Sequence, residues 1–395
     1  MKVLCSAQMG ATALGQTMRV IAVAKALQTK GHEVKVIAGD KQIPVMKQHH
    51  MDFIEMPPLP QFDFPYAALG GTMDEGQMEE IMARMKEILP QMMEAEKKVI
   101  SEEKPDVVLC GSFTGPMAAK TLNIPAAMVL LQPHGQKTIN FMTKRFNMRD
   151  QAAGLLNSAG LLILEGMPEL DGGMGTAAMG EGLAALKDKI RFTGPLLAEP
   201  PDTLPSQDEL KLRHTGNKDR PLVYVTIGGG TPLIGEDFLA LVLDAFRKLP
   251  DVQGVVATGL ALDPDRLAGG KPPDNVIIRG FVPGTELIKA SDVTVFHGGS
   301  STLMTCIACG RPAVVVPSMA EQEDNGAVLA GKGAGIVLDK VSLTVNAMAE
   351  AVQKILSDHT FRDNAGRLKE LGEKYGGAPA AAAMVEGLVS RGSAS

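Results

Sequence analysis

The sequence predicts an α/β protein built as two Rossmann-like units that face each other across a cleft. Three observations carry this. Short apolar, β-branched runs alternate with helix-period segments from Val3 to Leu164. A stretch richer in Pro, Asp, Gln and Lys, with Pro195, Pro200, Pro201 and Pro205, interrupts that alternation between Gly194 and Arg220. The alternation then restarts at Leu222 and runs to Val316. Such alternation makes a parallel sheet with helices on both faces, and ligands bind at the carboxyl ends of its strands. At 395 residues the chain has room for about two to three domains with sizeable cores. The expected boundaries are 1–194 for the first unit, 195–220 for a linker, 221–376 for the second unit and 377–395 for a final helix.

Element by element, residues 3–6 are a buried-strand run, followed by a loop bearing Gly10 and Gly15 and a helix over 20–30 that Gly31 ends. Residues 34–37 are the second strand, and 57–65 are irregular and proline-rich. Residues 73–100 carry Met78, Met82, Met85, Met92 and Met93 at near-helical spacing among Glu and Lys, the core stripe of an amphipathic helix. Strands follow at 107–109, 126–131 and 161–164, with a short helix at 116–121. The second unit has strands at 222–227, 254–258, 276–279, 293–296 and 313–316, and a closing helix spans 380–389.

Composition excludes several function classes. The formal net charge is −6 with no basic cluster, which argues against nucleic acid as a partner. Residues 1–5 lead straight into a strand without a signal-peptide cleavage region, and no apolar stretch approaches the ~18 residues of a membrane span. A cytoplasmic protein with no integral membrane segment is the expectation. Of four cysteines, Cys306 and Cys309 form a C-x-x-C that reads as packing on one helix face rather than as a redox or metal pair. Gly10 and Gly15 do not complete the G-x-G-x-x-G of a dinucleotide oxidoreductase, although Asp40 ends the second strand.

The most informative segment is 293–335. A buried-strand run empties into His297-Gly298-Gly299, where the backbone is free to approach a ligand closely. Ser300, Ser301 and Thr302 then supply hydroxyls and N–H groups at a helix start, which makes an anion seat. Gly310-Arg311-Pro312 stops the helix. After the next strand, Glu321 and Gln322 offer an acid and an amide suited to vicinal hydroxyls. A phosphate seat at one end and sugar contacts at the other make a nucleotide-sugar pocket.

His297, Gly298, Gly299, Thr302, Gly310, Pro312, Pro317, Glu321, Gln322 and Asn325 stand in the order and spacing of the donor signature of GT-B glycosyltransferases. The chain resembles the glucuronosyltransferase-like and antibiotic (macrolide-type) family in particular. The resemblance implies the GT-B fold, with the last helix crossing back onto the first domain. It also implies metal-independent, inverting transfer from a nucleoside-diphosphate sugar, with no cofactor and no metal. On the donor side it places the base near Phe281 and Val282, and the diphosphate near Thr226, Gly228, Gly229 and Thr302. His297 would stabilise the charge that develops on the leaving diphosphate. Phe281 reads equally as a stacking ring or as core. Thr305 stands where many members carry a Glu that grips the ribose hydroxyls, which tilts the donor toward a thymidine-diphosphate deoxysugar over a uridine-diphosphate sugar.

On the acceptor side the resemblance implies an apolar small molecule bearing a hydroxyl, near Gly15, with Met82 and Met85 as candidate cleft lining. The family's basic His is replaced by Gln16 and its partner Asp by Gly111. Three readings stay open: His134 as a substitute base, although it reads first as a surface-loop histidine; an acceptor that needs little activation; or a non-catalytic relative that binds a nucleotide sugar or assists a partner enzyme. His49, His50 and Asp52 fit a solvated loop. A homodimer is compatible with this reading.

Overall fold

The computed structural model describes residues 1–7, 14–39, 42–56, 75–145, 154, 156–170, 186–228, 235–259, 262–268 and 271–392. Two parallel sheets organise them. The first contains β1 (Lys2–Ser6), β2 (Glu33–Ala38), β3 (Phe53–Glu55), β4 (Val107–Cys110), β5 (Ala126–Leu131), β6 (Leu161–Glu165) and β7 (Ile190–Phe192). Their spatial order is β3-β2-β1-β4-β5-β6-β7, so the winding reverses between β1 and β4. The register sets Val3 beside both Val34 and Val107. Helices α1 (Leu14–Thr29), α2 (Ile43–Gln48), α3 (Glu75–Glu103), α4 (Thr114–Thr121) and α5 (Gln136–Arg145) connect these strands.

Strands buried on both faces need continuous apolar runs, and these have them. Leu4, Ile37, Val108 and Cys110 pack under Val99 and Ile100 of α3. On the other face Val3, Cys5, Val36 and Leu109 meet Val20, Val23, Ala24 and Leu27 of α1. The last helix, α14 (Gly377–Gly392), joins that second layer through Ala378, Ala381, Ala382 and Val385. Its Glu386 bonds Nε2 of His32 at 2.7 Å and pairs with Lys30. The C-terminal helix therefore does cross back to the first unit, because its small-residue face fits closely against α1.

The second sheet contains β8 (Leu222–Thr226), β9 (Gln253–Ala257), β10 (Val276–Arg279), β11 (Val293–Phe296), β12 (Ala313–Val315) and β13 (Gly335–Val337), in the order β10-β9-β8-β11-β12-β13. Its winding reverses between β8 and β11. The helices after α5 are α6 (Gln207–Thr215), α7 (Glu236–Arg247), α8 (Pro264–Ala268), α9 (Gly284–Ala290), α10 (Ser300–Cys309), α11 (Ala320–Gly331), α12 (Val345–Ser357) and α13 (Thr360–Glu373).

Several elements differ from the sequence reading. Helix α1 starts at Leu14 rather than near Val20. Strands β3, β7 and β13, three residues each, are too short to show a period. Within 195–220, α6 is capped by a reciprocal Ser206–Glu209 box, and Lys211 pairs with Asp292 at 2.7 Å, which docks this segment on the second unit. Residues 57–65 and Asp40 lie outside the described residues. Among the described residues no helix is long and apolar enough to cross a membrane.

Candidate active site

The two reversal points mark where each unit presents strand ends to a ligand. In the second unit β11 ends at Phe296 and delivers His297. A Cβ at Gly228 would sit 2.8 Å from His297 Cε1, and one at Gly299 would sit 2.7 Å from Nε2. Glycine at both positions is what lets the imidazole occupy this gap. Gly298 has φ +94, a backbone that other residues rarely adopt, and a Cβ there would lie 2.7 Å from the Gln322 carbonyl. Gly299 is the N-cap of α10 and supplies no side chain to the first-turn N–H groups, so they remain available to an anion. Nδ1 of His297 is buried without a hydrogen-bond partner among the described residues. Burial pulls this imidazole down to about 4, so it is neutral at pH 7.

The loop after β12 closes the turn from beyond. Asn325 Nδ2 donates to the Gly298 carbonyl at 2.7 Å and to Glu321 Oε1 at 3.1 Å, and Ser300 Oγ donates to the same Glu321 oxygen. Gln322 Oε1 accepts from Ser318 N at 2.9 Å, while its buried Nε2 has no partner among the described residues. The signature residues His297 to Ser300 and Glu321 to Asn325 thus form one network. Thr305 is buried on α10, and its hydroxyl donates to the Ser301 carbonyl at 2.8 Å. Phe281 is 60% exposed, which removes the core reading of its ring, while Val282 packs against the domain core. Gly229 lies outside the described residues.

The same loop reaches the first unit. His134 Nδ1 lies 2.8 Å from Asn325 Oδ1. Asp324 Oδ2 accepts from Thr138 N and Thr138 Oγ1, each at 2.7 Å, and so caps the N-terminal turn of α5 from the opposite unit. Gly135 makes room, since a Cβ there would fall 2.3 Å from the Asp324 carboxyl carbon. Lys137 pairs with Glu323 at the rim. Gly15 lies against Ser301, whose Oγ would be 2.6 Å from a Cβ at that glycine. The cleft is closed along this edge.

Comparisons with known proteins agree with this fold. Residues 254–389 match the family described as erythromycin biosynthesis protein CIII-like, C-terminal domain. The chain has the fold of the GT-B glycosyltransferases, and its second unit is similar to their antibiotic-type members. The NDP-glycosyltransferase YjiC of Bacillus subtilis is 30% identical over 204 residues, covering 52% of this chain and 49% of that protein. That match spans about half the Bacillus protein's length. An uncharacterized glycosyltransferase of Methanosarcina acetivorans is 26% identical over 386 residues, covering 92% and 93%. The spinosyn rhamnosyltransferase SpnG complexed with thymidine diphosphate superposes with a TM-score of 0.68 at 19% identity, covering 98% and 100%; it is also known with spinosyn aglycone.

In the first unit, the positions expected to hold the acceptor's base depart from the pattern the resemblance implies. Positions 16 and 111 do face each other, since a Cβ at Gly111 would lie 3.0 Å from Gln16 Cγ and 2.9 Å from Val20. Gln16, however, is a brace: its Nε2 donates to the Val129 carbonyl at 2.6 Å and its Oε1 accepts from Arg19 at 3.4 Å. Arg19 is itself locked to buried Glu165. An Asp at 111 would collide with this amide, so the two substitutions are sterically linked. His134 is buried rather than on an open loop, which overturns the loop-histidine reading. His49 is likewise buried, 3.2 Å from Lys25 Nζ, and burial lowers its pKa. Met82 and Met85 fall within α3, with side chains outside the described residues.

Sequence reading missed Glu96. It is buried at the carboxyl ends of β1 and β4, accepting from Ser6 Oγ and, at 3.0 Å, from Ser112 Oγ. Burial raises its pKa. Its signal in sequence was one Glu on the apolar side of α3, indistinguishable there from a solvated one. A cavity of about 300 Å³ lined by Lys289, Arg311 and Lys369 lies at the far end of α10, roughly 15 Å from the glycine turn by helix rise, and stays outside this site.

Proposed function

We propose that the protein catalyses metal-independent, inverting transfer of a sugar, preferentially a deoxysugar, from thymidine diphosphate to a hydroxyl of an apolar small molecule. The observation that carries this is His297, wedged between Gly228 and Gly299 beside the open N-terminus of α10, with a ring nitrogen lacking any partner among the described residues. A diphosphate seated there meets backbone N–H groups, the helix dipole and an imidazole N–H, all aimed where charge grows as the sugar departs. Glu321 and Gln322 stand one loop away to take sugar hydroxyls. The thymidine preference is supported by Thr305, whose hydroxyl is engaged by its own helix and offers a ribose diol no carboxylate grip. The thymidine-diphosphate complex of SpnG is consistent with that choice.

Thermal-shift titration with thymidine and uridine diphosphates, followed by product analysis with a thymidine-diphosphate sugar and an acceptor panel, tests the proposal. Tighter thymidine diphosphate binding and an anomer-inverted glycoside are expected. Gln16 and Gly111 favour a second reading, a nucleotide-sugar-binding auxiliary protein. Binding without turnover on any acceptor would decide for it.

A further inference from the structure

The loss of the His/Asp dyad at 16 and 111 leaves the acceptor proton without an obvious destination, and the cross-cleft contact at His134 supplies one. Asn325 is oriented by its own contacts: the Gly298 carbonyl accepts only, so the group facing it at 2.7 Å is the NH₂ end. The Oδ1 end therefore faces His134 and accepts from Nδ1–H at 2.8 Å. That assigns the proton to Nδ1 and leaves a lone pair on Nε2. Nε2 is buried and has no partner among the described residues. A histidine with one nitrogen pinned by an acceptor and a bare second nitrogen is the arrangement a general base needs.

Resting on the glycosyltransferase reading above, we infer that His134 Nε2 takes the proton of the incoming acceptor hydroxyl, and that Asn325 of the opposite unit readies it when the cleft closes. The acceptor oxygen forms its bond to the anomeric carbon while the bond from that carbon to the diphosphate breaks, its electron pair leaving with the diphosphate. The hydroxyl proton passes to Nε2 and later to solvent. The charged groups facing His134 are Glu321 and Asp324 on α11 and Glu165 at the end of β6, all carboxylates that favour the transient imidazolium. Burial outweighs them in the resting protein and lowers the His134 pKa, so the base is neutral and ready at pH 7. The base and its orienting amide sit on different units. An open cleft therefore holds no competent pair, which protects the donor from water.

His134→Asn is the informative variant, because its amide nitrogen keeps the donor to Asn325 and deletes Nε2. Transfer to an alcohol should fall about 10²–10⁴-fold, while transfer to a nitrophenol already ionised at the assay pH should stay within roughly threefold of wild type. Over the pH range in which the phenol stays ionised, the acid-side fall of kcat/KM seen in wild type with the alcohol should be missing from the variant with the phenolate, and thymidine diphosphate affinity should be unchanged. Wild-type transfer to the alcohol by H134N, or equal loss on both acceptors with nucleotide binding intact, overturns the role of His134 alone. A wild-type protein that glycosylates neither acceptor overturns the underlying reading instead. Should H134N fail to fold by circular dichroism, His134→Gln takes its place with the same expected split.

Discussion

Replacing Asp324 with alanine removes the carboxylate that caps α5 from across the cleft. One oxygen, Oδ2, takes two hydrogen bonds of 2.7 Å, from Thr138 N and Thr138 Oγ1, in a buried setting. Loss of an N-cap costs about 0.5–2 kcal/mol, and a hydrogen bond to a charged group contributes about 1.5–3 kcal/mol. The two figures overlap, because the cap is one of the bonds, so roughly 2–3 kcal/mol is the working value. The neighbouring Lys137–Glu323 pair adds little, since its side chains are 64% and 42% exposed and solvent screens it. In the open form water can satisfy the α5 terminus, so the loss falls on the closing equilibrium, about 30- to 150-fold toward open. A fluorophore pair with one label on each unit should report a longer mean distance for Asp324→Ala, and donor kcat/KM should fall. Gly135→Ala should reach the same state by a different route, its Cβ meeting the Asp324 carboxyl carbon at 2.3 Å. An unchanged distance distribution in both variants, with kcat/KM within about twofold of wild type, would refute the clasp.

The remaining predictions concern single side chains. His297→Ala should lower turnover by about two orders of magnitude or more while circular dichroism stays native; unimpaired turnover would remove His297 from the diphosphate site. The same residue has a pH signature. With its folded value near 4 against 6.5 for the free side chain, the unfolded state binds the proton first, so stability drops as pH falls from 6.5 toward 4. Wild type should lose more stability than His297→Asn across that window in urea titrations. Glu96→Gln should raise Tm at pH 7, by roughly 2–4 °C per kcal/mol recovered, and not at pH 4. A raised carboxyl pKa means stability is lost as pH climbs above 4.5, where the unfolded side chain ionises more readily. A lower Tm at pH 7 would show that ionised Glu96 is stabilising. Gln16→His should cost about 1 kcal/mol through the lost bond to the Val129 carbonyl and bring no gain in transfer; a faster enzyme with a new titration near neutrality would contradict it.

The glycine turn proposed to seat the donor was legible in the sequence because its parts are contiguous. A strand that ends, two glycines that let a ring and a carbonyl come close, and a helix that begins are all written within residues 293–309. The alternating units were legible for the same local reason, whereas the small-residue face of the last helix showed only in its packing on α1. The proposed base His134, the Asp324–Thr138 contact and the buried Glu96 were not legible. His134 meets Asn325 across 191 positions, Thr138 meets Asp324 across 186, and Ser6 meets Glu96 across 90. Each residue alone reads as a loop or helix-face polar group. The chain by itself determined which backbone segments suit a diphosphate, since that depends on local dihedral freedom and helix polarity. Only tertiary packing, between the units for His134 and Asp324 and within the first unit for Glu96, decided which distant side chains lose water together, and desolvation beside a specific partner is what sets such a His, Asp or Glu apart from a solvated one.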